Sequence, residues 1–337
     1  MRKARMIPLS LIDFALVYDG ERPRDSFARS VHLAQRAEQL GYERIWYAEH
    51  HNMPRIASSS PAVLIAHVGA HTSTIKLGAG GVMLPNHAPL VIAEQFGALE
   101  EMYPGRIGLG LGRAPGTDQR TVQALRRSPR SAERFPEDVA ELQGYLSGAS
   151  RIPGVQAVPG SGTEVPLYIL GSSLFGAQLA AQLGLPYAFA SHFAPQHLDE
   201  AIAVYRERYQ PSPQHPEPYV IAAVNVTAAD TTDRAHEDFA QVRRSRVRSL
   251  AARGREISDE QLDELMGSYA GQQVSTMMRY TAIGTADKVH SYLTDFQERT
   301  GANELMISLQ SPSHEAMLNA MEILSTAWQL PGAAPAR

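Results

Sequence analysis

Short apolar segments alternate with longer amphipathic segments along this chain, and this alternation limits its fold more than any other feature. The short segments predict eight strands, at residues 9–14, 44–48, 76–84, 107–111, 167–170, 188–191, 219–226 and 305–309. The longer segments predict helices at residues 26–40, 62–71, 90–103, 132–146, 174–183, 195–209, 232–266 and 315–329. Crossovers long enough to hold a helix imply parallel strands. Eight such units favour an α/β fold of the (β/α)8 type, a TIM barrel, as one domain over residues 1–337; a doubly wound sheet is the alternative.

Composition excludes several classes of function. The formal charge is −4, which gives no general attraction to nucleic acid or anionic membranes. The absence of cysteine excludes disulfides and thiolate chemistry. No apolar run approaches the roughly 18 residues of a membrane span, and the basic first residues lack the apolar core of a signal peptide. We therefore expect a cytoplasmic protein that binds small molecules.

Residues 240–282 interrupt the alternation, since they are charged, rich in arginine and poor in β-branched residues. They predict a helical insertion with a mobile segment after the seventh strand. Loops after barrel strands surround the active-site mouth, so this insertion is a candidate lid. An exposed helix with no catalytic role is the alternative.

The second predicted strand ends in "RIWYAEHHNMPR", in which Glu49, His50 and His51 are adjacent. Barrel active sites form where strands end, so these side chains should lie at the mouth. Successive residues point to opposite sides, so both histidines should not face the pocket. One general base or hydrogen-bond donor is therefore expected rather than a metal site made from this pair.

Three later strand ends carry further candidates. Gly80 and Gly81 predict a bulge or a ligand close to the backbone, with close packing as the alternative. Arg113 follows the fourth strand among small residues that would let an anion approach. After the fifth strand, Gly171, Ser172 and Ser173 precede a helix, and the backbone N–H groups there predict a phosphate site. A serine that only caps the helix would need no ligand.

These segments together resemble the bacterial luciferase-like family of flavin-dependent monooxygenases. The most specific matches are "GYERIWYAEHH", "LGAGGVMLPNHAPLVIAEQFGALEEMYPGRIGLGLGR" and "LGSS" followed by "AAQLGLP". The similarity runs from "PLSLIDFAL" to "IGTADKV" and "NELMISLQ". Gly112 stands where family luciferases carry a cysteine, so the non-luminescent branch is the better match.

The resemblance implies roles for the candidate residues. His50 matches the catalytic histidine near the reactive flavin carbon, while Glu49 and His51 would fix the turn. The cofactor-binding set would be Gly80, Gly81, Arg113, Gly171, Ser172 and Ser173. In that set the arginine and serines would hold the FMN phosphate. The two glycines at residues 80 and 81 would lie under the isoalloxazine ring, where the family commonly has a non-proline cis peptide.

The resemblance also implies a reaction and partners. Reduced FMN (FMNH2) would react with O2 to form a C4a-(hydro)peroxyflavin that transfers one oxygen atom to a small organic substrate. NAD(P)H would supply the electrons, through a separate flavin reductase or at the same site. Homodimers are usual in the family, joined by helices near strands two and three.

Three other functions remain as alternatives. The same barrel serves F420-dependent oxidoreductases, and a flavin-binding protein without catalysis would use the same residues. The third is a metal-dependent barrel hydrolase that combines His50 with His67, His71, His87 or His192. Metal barrels need several ligands that converge from strand ends. His67 and His71 lie on a predicted outer helix, so we predict no metal.

Overall fold

The computed structural model describes residues 6–252 and 257–333. These residues form nine parallel strands: β1 (Leu9–Asp13), β2 (Arg44–Tyr47), β3 (Lys76–Met83), β4 (Ile107–Gly112), β5 (Leu167–Gly171), β6 (Tyr187–Phe189), β7 (Val220–Ala228), β8 (Thr281–Gly284) and β9 (Glu304–Leu309). Strands β1 to β7 pair in chain order, and β9 closes the sheet between β7 and β1. Strand β8 pairs only with the C-terminal part of β7. The structure therefore confirms the closed eight-stranded (β/α)8 barrel, with one extra strand outside it.

Twelve α-helices lie in the described ranges: α1 (Pro23–Leu40), α2 (Pro61–Gly69), α3 (Pro89–Met102), α4 (Gln119–Ala124), α5 (Phe135–Leu146), α6 (Leu174–Leu183), α7 (Leu198–Arg208), α8 (Thr232–Ala252), α9 (Asp259–Gly267), α10 (Tyr269–Met277), α11 (Ala286–Thr300) and α12 (His314–Ala327). Helix α1 shows why these segments are helical. Proline opens its first turn, and Gly41 ends it in the left-handed conformation at φ 84°. None of the helices in the described ranges has the length and apolarity that crossing a bilayer requires.

The sequence analysis missed two elements between β7 and β9. Strand β8 has only four residues, too few for a periodic signal to stand out. Helix α11 does carry the signal, because Val289, Leu293 and Phe296 recur at helical spacing and are buried. The predicted helix 232–266 is also wrong as one element, since α8 and α9 are separate.

The barrel interior is filled rather than hollow. Its buried cluster consists of Trp46, Tyr168, Ala188, Ile221, Ala223 and Met306. Below this cluster, at the amino ends of the strands, the Arg44 guanidinium lies 3.2 Å from the Glu304 carboxylate, and both side chains are buried. The closed lower end leaves the carboxyl ends of the strands as the place for a ligand.

The insertion after β7 has a small core of its own. Val247 of α8 packs with Leu262 of α9, Val274 of α10 and Met278. Within the predicted insertion 240–282, residues 253–256 lie outside the described ranges. The described part is mainly helical up to Met277, as the sequence predicts, and its last two residues begin β8. Closure over the mouth stays a prediction.

Candidate functional site

Glu49 anchors the chain that leaves β2. Its side chain is fully buried, and the Nε2 atoms of His51 and His87 each lie 2.8 Å from its Oε1. Its Oε2 accepts a 3.0 Å hydrogen bond from the N–H of Met83, at the end of β3. Burial acts to raise the pKa of Glu49, but these hydrogen bonds and the nearby His87 lower it below its ordinary value. The carboxylate therefore stays charged and ties the end of β2 to the end of β3.

His50 has a different environment from His51. Its ring lies 5.9 Å from the ring of Phe14, which follows β1, and its Nδ1 is buried without a hydrogen-bond partner among the described residues. Burial lowers the pKa of His50; Glu49 opposes this shift and His51 adds to it. A neutral imidazole with a free nitrogen can accept or donate a proton near neutral pH. The two adjacent histidines thus diverge, as strand alternation predicts.

Two polar residues of the mouth were not assigned to a flavin site by the sequence analysis. His192 follows β6, is 3% exposed, and has its ring 6.3 Å from that of Phe14. Burial lowers its pKa to about 3, and Arg246 and His50 act in the same direction. Asn225 of β7 donates from Nδ2 to the His192 carbonyl at 2.7 Å. The His192 Nδ1 and the Asn225 Oδ1 are buried without hydrogen-bond partners among the described residues.

Both residues could have been identified as site candidates from the sequence. His192 comes directly after a predicted strand, which is where barrel active sites are built. Asn225 lies on the same face of β7 as Ile221 and Ala223, which belong to the interior cluster. Strand-end position combined with alternation would have selected both.

The Gly80–Gly81 peptide bond is cis, the conformation that the resemblance implies at this point. The pairing of β3 with β4 shifts register between Ala79 and Val82, as expected for a bulge. A Cβ on Gly80 would lie 2.6 Å from the Cβ of Trp46, and one on Gly81 would lie 2.7 Å from the Gly110 carbonyl oxygen. Packing against the neighbouring strands alone requires both glycines, so their contact with a flavin stays a prediction.

Arg113 lies beside the N-terminus of α6. Its guanidinium carbon is 4.2 Å from the centre of the Phe175 ring, in the first turn of that helix. Gly112 pairs with Leu170 in the β4–β5 register, so Arg113 follows β4 where Gly171 ends β5. Ser173 is the N-cap residue, but its hydroxyl makes no capping hydrogen bond. The N–H groups of the first turn, this hydroxyl and a side-chain cation can therefore meet one anion.

Ser172 and Gly171 complete this segment. Ser172 is partly buried between the strand and the helix. A Cβ added to Gly171 would come no closer than 3.9 Å to any other atom of the protein. The fold itself does not require glycine at this position, in contrast to Gly81.

One group of described residues has the composition of a metal site. Glu49, His51 and His87 place one ligand atom each within 4.8 Å of one another. Their mutual hydrogen bonds already account for this geometry. His50 and His192 are outside the group, and His67 of α2 packs against His71, which follows that helix, with ring centres 4.8 Å apart. The structure therefore does not assemble the histidines that the hydrolase alternative combines.

The predicted residues occupy one arc of the mouth. His50 follows β2, the glycine pair lies in the C-terminal half of β3, Arg113 follows β4, and the 171–173 segment ends β5. These four strands are hydrogen-bonded neighbours. His192 and Asn225 lie on the next two strands, β6 and β7. The whole set thus lies on six consecutive strands, with a cation and the N-terminus of α6 on one side and two histidines beside Phe14 on the other.

Comparison with known proteins gives consistent matches over this architecture. The family profile described as "Luciferase-like monooxygenase" matches residues 10–304. A luciferase-like monooxygenase of Escherichia coli (strain K12) is 44% identical over 322 residues, covering 95% of this chain and 96% of that protein. The N-acetyl-S-alkylcysteine monooxygenase of Bacillus subtilis (strain 168) is 32% identical over 313 residues, covering 90% and 92%.

Solved structures agree with this fold. The crystal structure of apo-MsnO8 has a TM-score of 0.86 and 33% identity, and covers 96% of this chain and 99% of that one. The FMN complex of the oxygenating constituent of 3,6-diketocamphane monooxygenase from Pseudomonas putida has a TM-score of 0.73 and 16% identity (98% and 100% covered). An F420-dependent secondary alcohol dehydrogenase has a TM-score of 0.71 and 17% identity (98% and 99% covered).

Proposed function

The chain belongs to the luciferase-like monooxygenase family, and we propose that it is an FMN-dependent monooxygenase that oxygenates a small organic substrate. Reduced FMN would supply two electrons and activate O2, so that one oxygen atom enters the substrate and the other leaves as water. The remaining steps fall to the protein, which must bind the phosphate, exclude water, orient the substrate and handle one proton.

The arrangement of Arg113 and the α6 N-terminus carries this proposal. Arg113 forms no ion pair among the described residues and lies against the first helical turn, where the Ser173 hydroxyl is unused. An FMN phosphate would satisfy both groups. Gly171 and Ser172 would allow the phosphate to approach the backbone, and Gly80 and Gly81 would line the ring.

His50 would be the catalytic residue. Its free Nδ1 lies in a buried environment that keeps the ring neutral, so it can hold a proton or receive one from the reacting oxygen. Glu49 and His51 would act on it indirectly, by holding the turn. Partly buried Phe14 beside the ring would help to keep water away from the reacting atoms.

Two relatives above 30% identity are named as monooxygenases, one of them the N-acetyl-S-alkylcysteine monooxygenase, whereas the F420-dependent structure is a dehydrogenase. These names favour FMN over F420. The F420-dependent structure is only 17% identical, so it supports the shared fold alone. We further propose that NAD(P)H reduces the flavin on a separate reductase.

Exposed apolar side chains on neighbouring helices support a homodimer. Val63 of α2 is 68% exposed, and Val91 and Met102 of α3 are 43% and 53% exposed. A face of this kind is a candidate for burial by a second copy. Light scattering of the purified protein should give twice the chain mass, and a monomer at micromolar concentration would refute the dimer.

Substitution of His50 tests the function. The His50→Ala variant should bind FMN as the unaltered protein does, but should form less product that is heavier by one oxygen atom, on a panel of thioethers, ketones and aldehydes. His71→Ala is a matched control, because that histidine is exposed and follows α2 on the outside of the barrel. Equal product formation by the His50→Ala variant would remove His50 from the catalytic role.

A further inference from the structure

Arg246 of the insertion lies at the barrel mouth and has no carboxylate partner among the described residues. The Nη2 of Arg246, on α8, donates a 2.8 Å hydrogen bond to Oε1 of Gln310, the residue that follows β9. Gln310 is 5% exposed, and its own Nε2 donates to the Ser308 hydroxyl at 2.8 Å. The amide thus positions the guanidinium at the end of β9, but a neutral oxygen does not balance its charge.

Two other arginines of α8 have carboxylate partners. Arg244 pairs with Asp263 of α9, and Arg248 pairs with Asp259 at 2.8 Å. Among residues 6–252 and 257–333, Arg246 forms no ion pair with any carboxylate. Arg246 is partly buried, and this burial lowers the pKa of its guanidinium. A desolvated cation without a counter-ion is costly, and an anion from outside the chain would relieve this cost.

A series of neighbouring side chains links Arg246 with the proposed catalytic residue. The guanidinium is close enough to His192 to influence its protonation. The His192 ring lies 6.3 Å from the Phe14 ring, which in turn lies 5.9 Å from the His50 ring. A molecule held by its anionic end at Arg246 would pass its apolar part along Phe14 toward His50.

The strand order separates this cation from the proposed phosphate site. The barrel runs β1–β2–β3–β4–β5–β6–β7–β9, so β9 lies four strands from β4 in either direction. Gln310 and Arg113 follow strands on opposite sides of the mouth. One phosphate held by Arg113 and the α6 N-terminus would therefore leave Arg246 free for a second anion.

We propose that Arg246 binds the carboxylate of a small organic acid, which is the substrate class of this protein. The assignment of the bound molecule as substrate rests on the proposed monooxygenase function. Gln310 is the positioning residue for the guanidinium, and the neutral groups of His192 and Asn225 line the route for the uncharged part of the molecule. The insertion would thus select the substrate, while β4 and β5 hold the cofactor.

Paired probes test this proposal without knowledge of the natural substrate. Binding of butyrate, hexanoate, octanoate and phenylacetate is measured by calorimetry beside butyramide, hexanamide, octanamide and phenylacetamide, with and without saturating FMN. We expect at least one acid to bind about tenfold or more tightly than its amide, since a guanidinium–carboxylate contact is charge-assisted. Arg246→Gln should remove that preference, and Arg248→Gln should retain it.

Each outcome decides the matter. If no acid binds the unaltered protein better than its amide, or if Arg246→Gln keeps the preference, the proposal is overturned. A preference lost equally in Arg248→Gln would show that only the helix was disturbed, and would also overturn it. A carboxylate preference that depends on Arg246 in a protein that binds no FMN would support the anion site and refute the flavin proposal instead.

Discussion

Replacement of Arg113 by Ala tests the proposed phosphate site quantitatively. A hydrogen bond to a charged partner contributes about 1.5–3 kcal/mol, equivalent to a change of about 10- to 150-fold in dissociation constant. Arg113 is exposed, so water and salt screen its charge, and the α6 N-terminus and Ser173 would still hold the phosphate. We therefore expect the lower end of this range, about tenfold weaker binding of FMN.

Riboflavin provides the control, because it lacks the phosphate but has the same ring system. Fluorescence titration of both ligands should show a loss for FMN and almost none for riboflavin, and the FMN loss should shrink in high salt. An equal loss for both ligands would mean that Arg113 contacts the ring or that the mouth has changed shape. Unchanged FMN binding would refute the phosphate role.

Three further predictions concern stability and the glycines. Glu304→Gln would leave the buried Arg44 without its counter-ion and should lower the free energy of unfolding by about 3–5 kcal/mol; urea denaturation with a change below about 1 kcal/mol would contradict this. Gly171→Ala should fold normally but weaken FMN binding, whereas Gly81→Ala should destabilise the fold, because its Cβ would contact the Gly110 carbonyl oxygen. A lower unfolding temperature for Gly171→Ala than for Gly81→Ala would contradict the packing described above. Burial lowers the pKa of His192 from 6.5 to about 3. Between pH 3 and pH 6.5, the unfolded chain therefore binds a proton at His192 that the folded protein does not bind. The free energy of unfolding therefore decreases as the pH is lowered below 6.5, by at most about 1.4 kcal/mol per pH unit. His192→Gln should flatten this dependence, and identical pH profiles for the two proteins would refute it.

Most of the barrel could be predicted from the sequence because its strands and helices differ in period. The eight barrel strands were predicted at positions close to those observed, and α1 ends at Gly41 as its C-cap glycine predicts. Strand β8 was missed because a segment of four residues is too short to show a hydrophobic period. Helix α11 was missed although its apolar spacing is regular enough to predict it.

The site could be predicted only where position along a strand decides it. Residues at strand ends, such as His50 and Arg113, follow from the barrel rule together with the resemblance. Arg246 could not be found in this way, because periodicity does not distinguish it from Arg244 and Arg248 on the same helix. Only the folded arrangement shows that those two pair with α9 while Arg246 meets Gln310.

The most direct test of the central claim is anaerobic titration of the purified protein with photoreduced FMN, oxidised FMN and F420, followed by absorbance and fluorescence. The proposed function predicts tighter binding of reduced FMN than of F420, and a transient change in the flavin spectrum when O2 is admitted to the complex. Selective binding of F420, or no binding of FMN in either redox state, would contradict it.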